Sequence, residues 1–302
     1  MARTLSIGVE IECLVVGAYF PSPEECWNLI VHTINDTKVH EAYYRQDDMA
    51  YLPGETRWTV MDDSTIRVND DMNEYPVELI SPPLEDRPGT DLPSPNTGRT
   101  WKQALKAVLK AVKRLEGITL QTNESTGLHV HIGTGFNRTW NIQELRKIAL
   151  LFVLREPQID MLFFPERSDP HARSADYLHS MRRSAICRQL SNEQLGRRIL
   201  TATTSSNLCE LVNPDPDRIA PYFRNYKVNF LAVQKHGTVE FRQHQGTASA
   251  SVIVAWGETL LALVRMAVRT EEETLLQMCL SKIMLVDLIS VAKQRETWED
   301  TA

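Results

Sequence analysis

Three short segments of the chain place ionisable side chains at every second position. In the first, residues 8–12, the glutamates Glu10 and Glu12 alternate with apolar residues. Alternate residues of a β-strand point to the same side of a sheet. The pattern therefore predicts a strand with two carboxylates on one face and an apolar surface on the other.

The other two segments follow the same rule with other residue types. One brings His129 and His131 to a single face, and the other brings Glu240, Arg242 and His244 to a single face. A half-exposed sheet with a solvated polar face explains any one of these segments. The three together favour a functional site, because solvated faces usually carry Lys, Thr, Ser and Gln rather than Glu, His and Arg.

The residue types indicate a metal and phosphate site if the three faces converge. Carboxylates brought together repel one another unless a cation lies between them. Oxygen ligands with one imidazole suit Mg²⁺ or Mn²⁺, whereas a structural zinc site is built from Cys and His. Neighbouring Arg and His side chains are natural contacts for a phosphate group.

Two other acidic positions could add to such a site. Asp63 and Ser64 follow a strand-like run and place a carboxylate and a hydroxyl at a turn. A simple Asx turn explains that pair equally well. Glu78 lies inside an apolar strand-like run, where burying a carboxylate without a partner costs free energy. An edge strand with Glu78 facing water is the alternative.

The elements that position these residues are predicted from periodicity and turn residues. Alternating or apolar runs predict strands over residues 7–14, 75–80, 118–122, 128–133, 227–234 and 238–243. Helical spacing of apolar residues predicts helices over residues 101–115, 143–163, 174–187, 192–202, 251–269 and 272–293. Strand pairs broken by long helical segments predict an α+β fold around an antiparallel sheet, in one catalytic domain spanning residues 1–302.

Composition excludes several classes of partner. The 302 residues carry a net charge of −6 with no block of Lys or Arg, which argues against nucleic acid. The five cysteines are scattered and form no CxxC pair, which is typical of a reduced, intracellular protein. No signal peptide precedes the first strand, and the longest apolar run, residues 252–256, is too short to span a bilayer. We therefore expect a cytoplasmic protein.

Six segments, in the same order as in the family, resemble the amidoligase family. This family is a branch of the fold shared by glutamine synthetases and glutamate–cysteine ligases. The six segments span nearly the whole chain, and the last of them is the longest. They are residues 8–12, 58–64, 78–82, 127–133, 226–229 and 237–247.

The resemblance implies a fold and a reaction. The fold would be an antiparallel sheet curved into a funnel and flanked by helices, like the catalytic domain of glutamine synthetase. The reaction would join a small-molecule or peptide carboxylate to an amine or ammonia as an amide. It would use ATP as co-substrate, Mg²⁺ or Mn²⁺ as metal, and an acyl-phosphate intermediate.

The resemblance also implies a cluster of two or three metal ions. Glu10 and Glu12 would bind different metals, and Glu78 would share a metal with Glu12. His129 and Glu240, together with Glu10, would complete the metal nearest the ATP phosphates.

Further roles follow from the same resemblance. Arg242 would contact the γ-phosphate or the acyl-phosphate, and His131 would touch nucleotide or phosphate. Asp63, beside Ser64, would bind a metal-bound water or the incoming amine. Arg242, Asp63 and Glu240 are thus the predicted catalytic residues, and Ser64 is a predicted cofactor contact.

Four positions carry weaker predictions. Lys227 and Asn229 are predicted contacts to nucleotide or substrate, with ordinary strand packing as the alternative. Thr126 stands where many relatives carry Cys, and we expect little effect. Arg173 fits only loosely the arginine that relatives carry in this region, so its contact with substrate or phosphate stays open.

Two other functions compete with amide formation. Guanidino kinases share a version of this fold, so a phosphotransferase is the first alternative. The second is a non-catalytic relative that binds nucleotide or metal, against which the complete set of predicted ligands argues. The pattern leaves the acid, the amine and the oligomeric state open.

Overall fold

The computed structural model describes residues 4–38, 40–45, 56–69, 73–87, 99–135, 138–167, 169, 177–217 and 219–298. Within them the chain forms nine strands and ten α-helices, which confirms the α+β prediction. The chain divides into two compact units. The sheet unit is Ser6–Val130 with His244–Gly257, and the helical unit is Met1–Leu5, His131–Gln243 and Glu258–Ala302.

Strand β1 is the centre of the sheet unit. The strand order is β2-β3-β4-β1-β7, with β5 and β6 also paired to β1. Strand β1 is antiparallel to β4 and β6, and β3 is antiparallel to β4, but β2 is parallel to β3. The strands are β1 (Leu5–Val16), β2 (Ala42–Tyr44), β3 (Trp58–Met61), β4 (Glu74–Ile80), β5 (Leu84–Asp86), β6 (Thr119–Gln121) and β7 (Gly127–Gly133).

The prediction of a purely antiparallel sheet is therefore wrong at β2. Parallel neighbours need a connection of a dozen or more residues, and residues 45–57 supply one between β2 and β3. The funnel shape and the single catalytic domain stay predictions.

Two helices cover the sheet unit, α1 (Pro23–Asp36) and α2 (Trp101–Val112). Helix α2 begins where predicted, because Thr100 and Gln103 form a capping box and the apolar stripe of the helix is buried. Helix α1 was not predicted. Its start is nevertheless marked by Pro23 at the first helical position and by two glutamates in the first turn.

The helical unit is built mainly from helices. They are α3 (Ile142–Leu154), α4 (Glu156–Asp160), α5 (Asn192–Leu200), α6 (Ser205–Val212), α7 (Ala232–His236), α9 (Glu272–Leu280) and α10 (Leu285–Trp298). Among them, α4, α5, α6 and α9 pack against α3. Helix α8 (Ala250–Arg269) begins in the sheet unit and continues in this one.

Buried Arg155 explains why two predicted long helices are each broken in two. It ends α3, so the helix predicted over residues 143–163 becomes α3 and α4. Its guanidinium donates to the carbonyls of Met278 (2.5 Å), Ile283 (3.0 Å) and Ser281 (3.3 Å). These carbonyls lie at and beyond the end of α9, so the helix predicted over residues 272–293 becomes α9 and α10.

Two other predicted elements are wrong in part. The strand predicted over residues 227–234 is only β8 (Val228–Asn229), and the chain then forms α7. The side chain of Asn229 accepts a hydrogen bond from the backbone N–H of Leu231 (2.9 Å), which turns the chain out of the strand. In the helix predicted over residues 174–187, residues 177–187 hold short 3-10 turns instead, and residues 174–176 lie outside the described residues.

Helix α8 and the five cysteines are largely buried within the protein. By length and composition α8 could cross a membrane, but most of its apolar stretch is buried within the protein, as in a core helix. All five cysteines are free and buried. Burial raises the pKa of Cys13 and Cys26 to about 12, which keeps these thiols protonated.

Candidate functional site

Three strands bring four of the five predicted metal ligands together on one face of the sheet unit, and the role of the fifth, Glu240, as a metal ligand stays a prediction. In the antiparallel pair of β1 and β4, Glu12 lies directly opposite Glu78. Glu10 is two residues earlier on β1 and therefore shares this face. Strand β7 follows β1 in the strand order, on the side away from β4, and contributes His129. The face thus collects three carboxylates and one imidazole.

His129 lies between the carboxylates. Its Nδ1 is 2.9 Å from Oε2 of Glu10, and its Nε2 is 3.4 Å from Oε1 of Glu12. One ligand atom from each of Glu10, Glu78 and His129 lies within 4.8 Å of the others. Both Glu12 and His129 are buried. The four residues form one group, which we call the acidic cluster.

The donor set of the acidic cluster fits a hard divalent cation. Several carboxylates in so small a buried space repel one another unless positive charge is present. A bound cation would supply that charge, with the imidazole of His129 as a neutral ligand. Carboxylate oxygens with a single imidazole favour Mg²⁺ or Mn²⁺ over zinc.

A backbone hydrogen bond holds Glu12 in place. The N–H of Gly127, at the start of β7, donates to Oε2 of Glu12 (2.5 Å). The preceding residue, Thr126, is fixed on both sides. Its hydroxyl donates to the carbonyl of Asn123 (2.8 Å), and its own carbonyl accepts from the N–H of Gly246 (3.0 Å). The position of this carboxylate therefore depends on the packing of Thr126.

A second group of predicted residues comes together in the helical unit. Strand β9 (Thr238–Gln245) is antiparallel to β8, and Glu240 lies opposite Asn229. The Asn229 amide donates to Oε2 of Glu240 (2.6 Å), and Nη1 of Arg242 donates to Oε1 (2.5 Å). Both carboxylate oxygens of this buried residue thus accept hydrogen bonds, which fixes the guanidinium of Arg242.

His131 and Lys227 also have defined contacts in the helical unit. His131 Nδ1 lies 2.8 Å from the hydroxyl of Thr238. Lys227 is buried, and its ammonium group lies 2.6 Å from a carboxylate oxygen of Asp160. The roles of Lys227 and Asn229 toward nucleotide or substrate stay predictions, because both side chains have partners within the protein.

The turn after β3 has the geometry of an Asx turn. Oδ1 of Asp63 accepts from the backbone N–H (2.8 Å) and the hydroxyl (2.7 Å) of Thr65. Ser64 is exposed at the tip of this turn. The use of Asp63 as a base and of Ser64 as a cofactor contact stay predictions. Arg173 lies outside the described residues.

Sequence reasoning missed one buried acid, Glu156, at the start of α4. Its carboxylate accepts hydrogen bonds from the hydroxyl of Ser180 and from the N–H of Met181 (3.0 Å). Burial raises the pKa of Glu156 to about 7, and the nearby Lys227 ammonium lowers it in part. The available signal was the charged pair Arg155-Glu156, which interrupts an otherwise apolar helical run.

We expect Glu156→Gln to remove a pH dependence of stability. Because the folded-state pKa is raised from 4.5 to about 7, the folded protein binds a proton more tightly than the unfolded chain. The free energy of unfolding therefore falls as pH rises through this window, by about 3 kcal/mol at most. Glutamine keeps both contacts, since its oxygen can accept from Met181 and its amide can donate to Ser180.

Denaturant unfolding of wild type and variant across this pH window measures the effect. The exposed Glu210→Gln, on α6, is the matched control and should follow the wild type. A wild-type slope that survives in Glu156→Gln would assign the pH dependence to another group.

Comparison with known proteins adds one finding. A protein-family model described as "putative amidoligase enzyme" matches residues 3–264. No curated protein and no solved structure matches the chain. The matched span contains the acidic cluster and the group around Glu240.

Proposed function

Because the chain belongs to the amidoligase family, we propose that it is an ATP-dependent ligase that joins a carboxylate to an amine. The observation that carries this proposal is the acidic cluster, in which carboxylates from β1 and β4 surround His129. Such a set suits a metal that accompanies ATP. The substrates are a small-molecule or peptide carboxylate and an amine or ammonia, in the cytoplasm, with no nucleic-acid or membrane partner.

The proposed reaction has two steps. An oxygen of the substrate carboxylate attacks the γ-phosphorus of ATP, the bond to the bridging oxygen breaks, and ADP leaves. The nitrogen of the amine then attacks the acyl carbon, phosphate leaves, and the amine loses a proton. The products are an amide, ADP and phosphate.

Particular residues support these steps. Glu10, Glu12, Glu78 and His129 would hold Mg²⁺ or Mn²⁺, which neutralises phosphate charge when bound. Arg242, fixed by Glu240, would donate to the oxygens of the transferring phosphoryl group, where developing charge is best stabilised by preorganised donors. In this scheme Asp63 accepts the proton of the amine.

Calorimetry with a non-hydrolysable ATP analogue tests the metal and nucleotide site. We expect binding that requires Mg²⁺ and that weakens at least about tenfold in Glu10→Gln, because a carboxylate ligand is lost. The exposed Glu124→Gln, in the same unit, is the matched control and should bind as the wild type. Equal binding without Mg²⁺, or in Glu10→Gln, would refute the metal assignment.

Product analysis then tests the reaction type. Incubation with ATP, candidate acids and candidate amines should give an amide and inorganic phosphate. A stable phosphorylated product without an amide would instead make the protein a phosphotransferase.

A further inference from the structure

The helical unit contains a cavity of about 720 Å³, and of the predicted site residues Lys227 lines it. This size is in the range of small-molecule sites. Its walls are short turns of residues 178–188, a proline-rich loop of residues 214–217 and 219–221, and the two residues that precede β8. Its polar lining includes Arg167, His179, Ser180, Arg183, Arg188 and Lys227.

The charge of this cavity favours an anion. Three arginines line the cavity beside two aspartates, Asp169 and Asp215, while the charge of Lys227 is paired with Asp160. The carboxylate of Asp215 is already occupied, since it accepts from the N–H groups of Asp217 (3.1 Å), Ile219 (3.0 Å) and Ala220 (2.7 Å) of its own loop. These hydrogen bonds, that from Ala220 above all, stabilise the ionised carboxylate and hold the pKa of Asp215 below its usual value, and they direct its oxygens toward its own loop.

Two of the lining arginines have guanidinium groups available for a ligand. Arg183 and Arg188 are exposed and lie in two neighbouring 3-10 turns. Among the described residues, neither side chain has a hydrogen-bond or ion-pair partner, and the contacts of both are backbone bonds to the same short segment. A guanidinium group presents a planar fork of donors that matches a carboxylate in a bidentate arrangement.

The cavity adjoins the strand pair that carries Arg242. The N–H of Arg242 donates to the carbonyl of Lys227 (2.9 Å), which continues the β8–β9 register by one residue. Nη2 of Arg167 donates to the carbonyl of Arg242 (2.9 Å). Two lining residues, Arg167 and Lys227, therefore contact the backbone of Arg242, the predicted phosphate-binding arginine. Lys227 lies directly opposite Arg242 in the strand pair, so the two side chains share a face.

The remaining wall of the cavity is apolar, and a hydrogen bond from Tyr226 anchors its loop. It includes Ile186, which is about half exposed, and the prolines Pro214, Pro216 and Pro221. The hydroxyl of Tyr226 donates to the carbonyl of Pro214 (2.6 Å), which anchors the loop at its base. A rigid apolar wall suits the carbon chain of a small ligand and lowers the entropy cost of binding.

We propose that this cavity binds the acid substrate, and that this acid carries at least two carboxylates joined by a short apolar chain. Arg183 and Arg188 hold one carboxylate, and the other is directed toward the strand pair of Lys227 and Arg242, where it is phosphorylated. This inference rests on the proposed ligase function, whose acyl-phosphate step requires an acid.

Calorimetric titration of the full-length protein with succinate, glutarate and adipate tests the cavity directly. It is run with and without Mg²⁺ and the ATP analogue. We expect at least one of these dicarboxylates to bind, and the double variant Arg183→Gln/Arg188→Gln to bind it at least about tenfold more weakly, since hydrogen bonds between charged groups are lost. The control is Arg198→Gln, an exposed arginine on α5 that does not line the cavity.

Three outcomes would overturn the assignment. They are no dicarboxylate binding under any condition, equal binding by the double variant, and equal binding of the neutral glutaramide. Inorganic phosphate is a further probe, and binding of phosphate alone would assign the cavity to a phosphate group instead. If no dicarboxylate binds but the ATP analogue still binds in a Mg²⁺-dependent way, only this inference is refuted. If a dicarboxylate binds but the ATP analogue shows no Mg²⁺-dependent binding, the proposed metal site is refuted.

Discussion

Glu240→Gln is expected to lower kcat by at least about a hundredfold while the fold survives. Both oxygens of Glu240 accept hydrogen bonds, one from Arg242 and one from Asn229. Asn229 cannot turn its amide over to compensate, because its oxygen accepts from the N–H of Leu231. The new amide group of glutamine therefore faces a donor on one side, and the charge that orients Arg242 is lost.

The size of this effect follows from the role of Arg242 in the proposed reaction. Loss of one preorganised donor to a developing negative charge lowers kcat by about a hundred- to a thousandfold. The cost in folding is smaller, about 1–3 kcal/mol for a donor left unsatisfied in the interior. That cost lies below the stability of a typical domain.

ADP release in the presence of acid and amine measures the effect, with circular dichroism as the check on folding. The exposed Glu273→Gln on α9 is the matched control and should keep wild-type turnover. Retained turnover in Glu240→Gln, with the fold intact, would remove Glu240 and its orientation of Arg242 from the mechanism.

The faces of β1, β7 and β9 could be predicted from the sequence because strand geometry is local. Residues two apart share a face whatever the rest of the chain does. For this reason the alternation of Glu10 and Glu12, and of Glu240 and Arg242, with apolar residues was enough to identify the polar faces. The boundaries of β7 and β9 also lie close to the predicted ones.

The neighbours of each strand could not be predicted in this way. That Glu12 lies opposite Glu78 depends on the pairing of β1 with β4, which involves residues far apart in sequence. The family resemblance supplied this expectation, since it implied that Glu12 and Glu78 share a metal. Periodicity alone left Glu78 with two alternatives.

The errors in the predicted elements come from single side chains with specific partners. Arg155 ends α3 and binds carbonyls beyond α9, and Asn229 turns the chain out of β8. These contacts override the helical and alternating patterns that continue past them. The cavity beside Arg183 and Arg188 was missed for a related reason, since its walls are turns and loops without a period.

Gly246→Ala is expected to destabilise the sheet unit and to weaken metal binding together. A Cβ atom at this position would lie 2.0 Å from the hydroxyl oxygen and 2.6 Å from the Cβ of Thr126. Thr126 cannot move aside easily, because its hydroxyl and its carbonyl are both hydrogen-bonded within the buried interior. Overpacking of this kind costs about 1–3 kcal/mol.

The coupling to metal arises because Thr126 precedes Gly127, whose N–H holds Glu12. A displaced Thr126 moves this donor, so we expect the Mg²⁺-dependent affinity for the ATP analogue to fall by about tenfold. This is the lower end of the loss in metal affinity that follows when a group supporting a metal ligand is removed. The double variant Gly246→Ala/Thr126→Gly removes the atoms that clash and should recover part of both losses. If the affinity fell in Gly246→Ala and stayed equally low in the double variant, the packing of Thr126 against Gly246 could not be what positions Glu12.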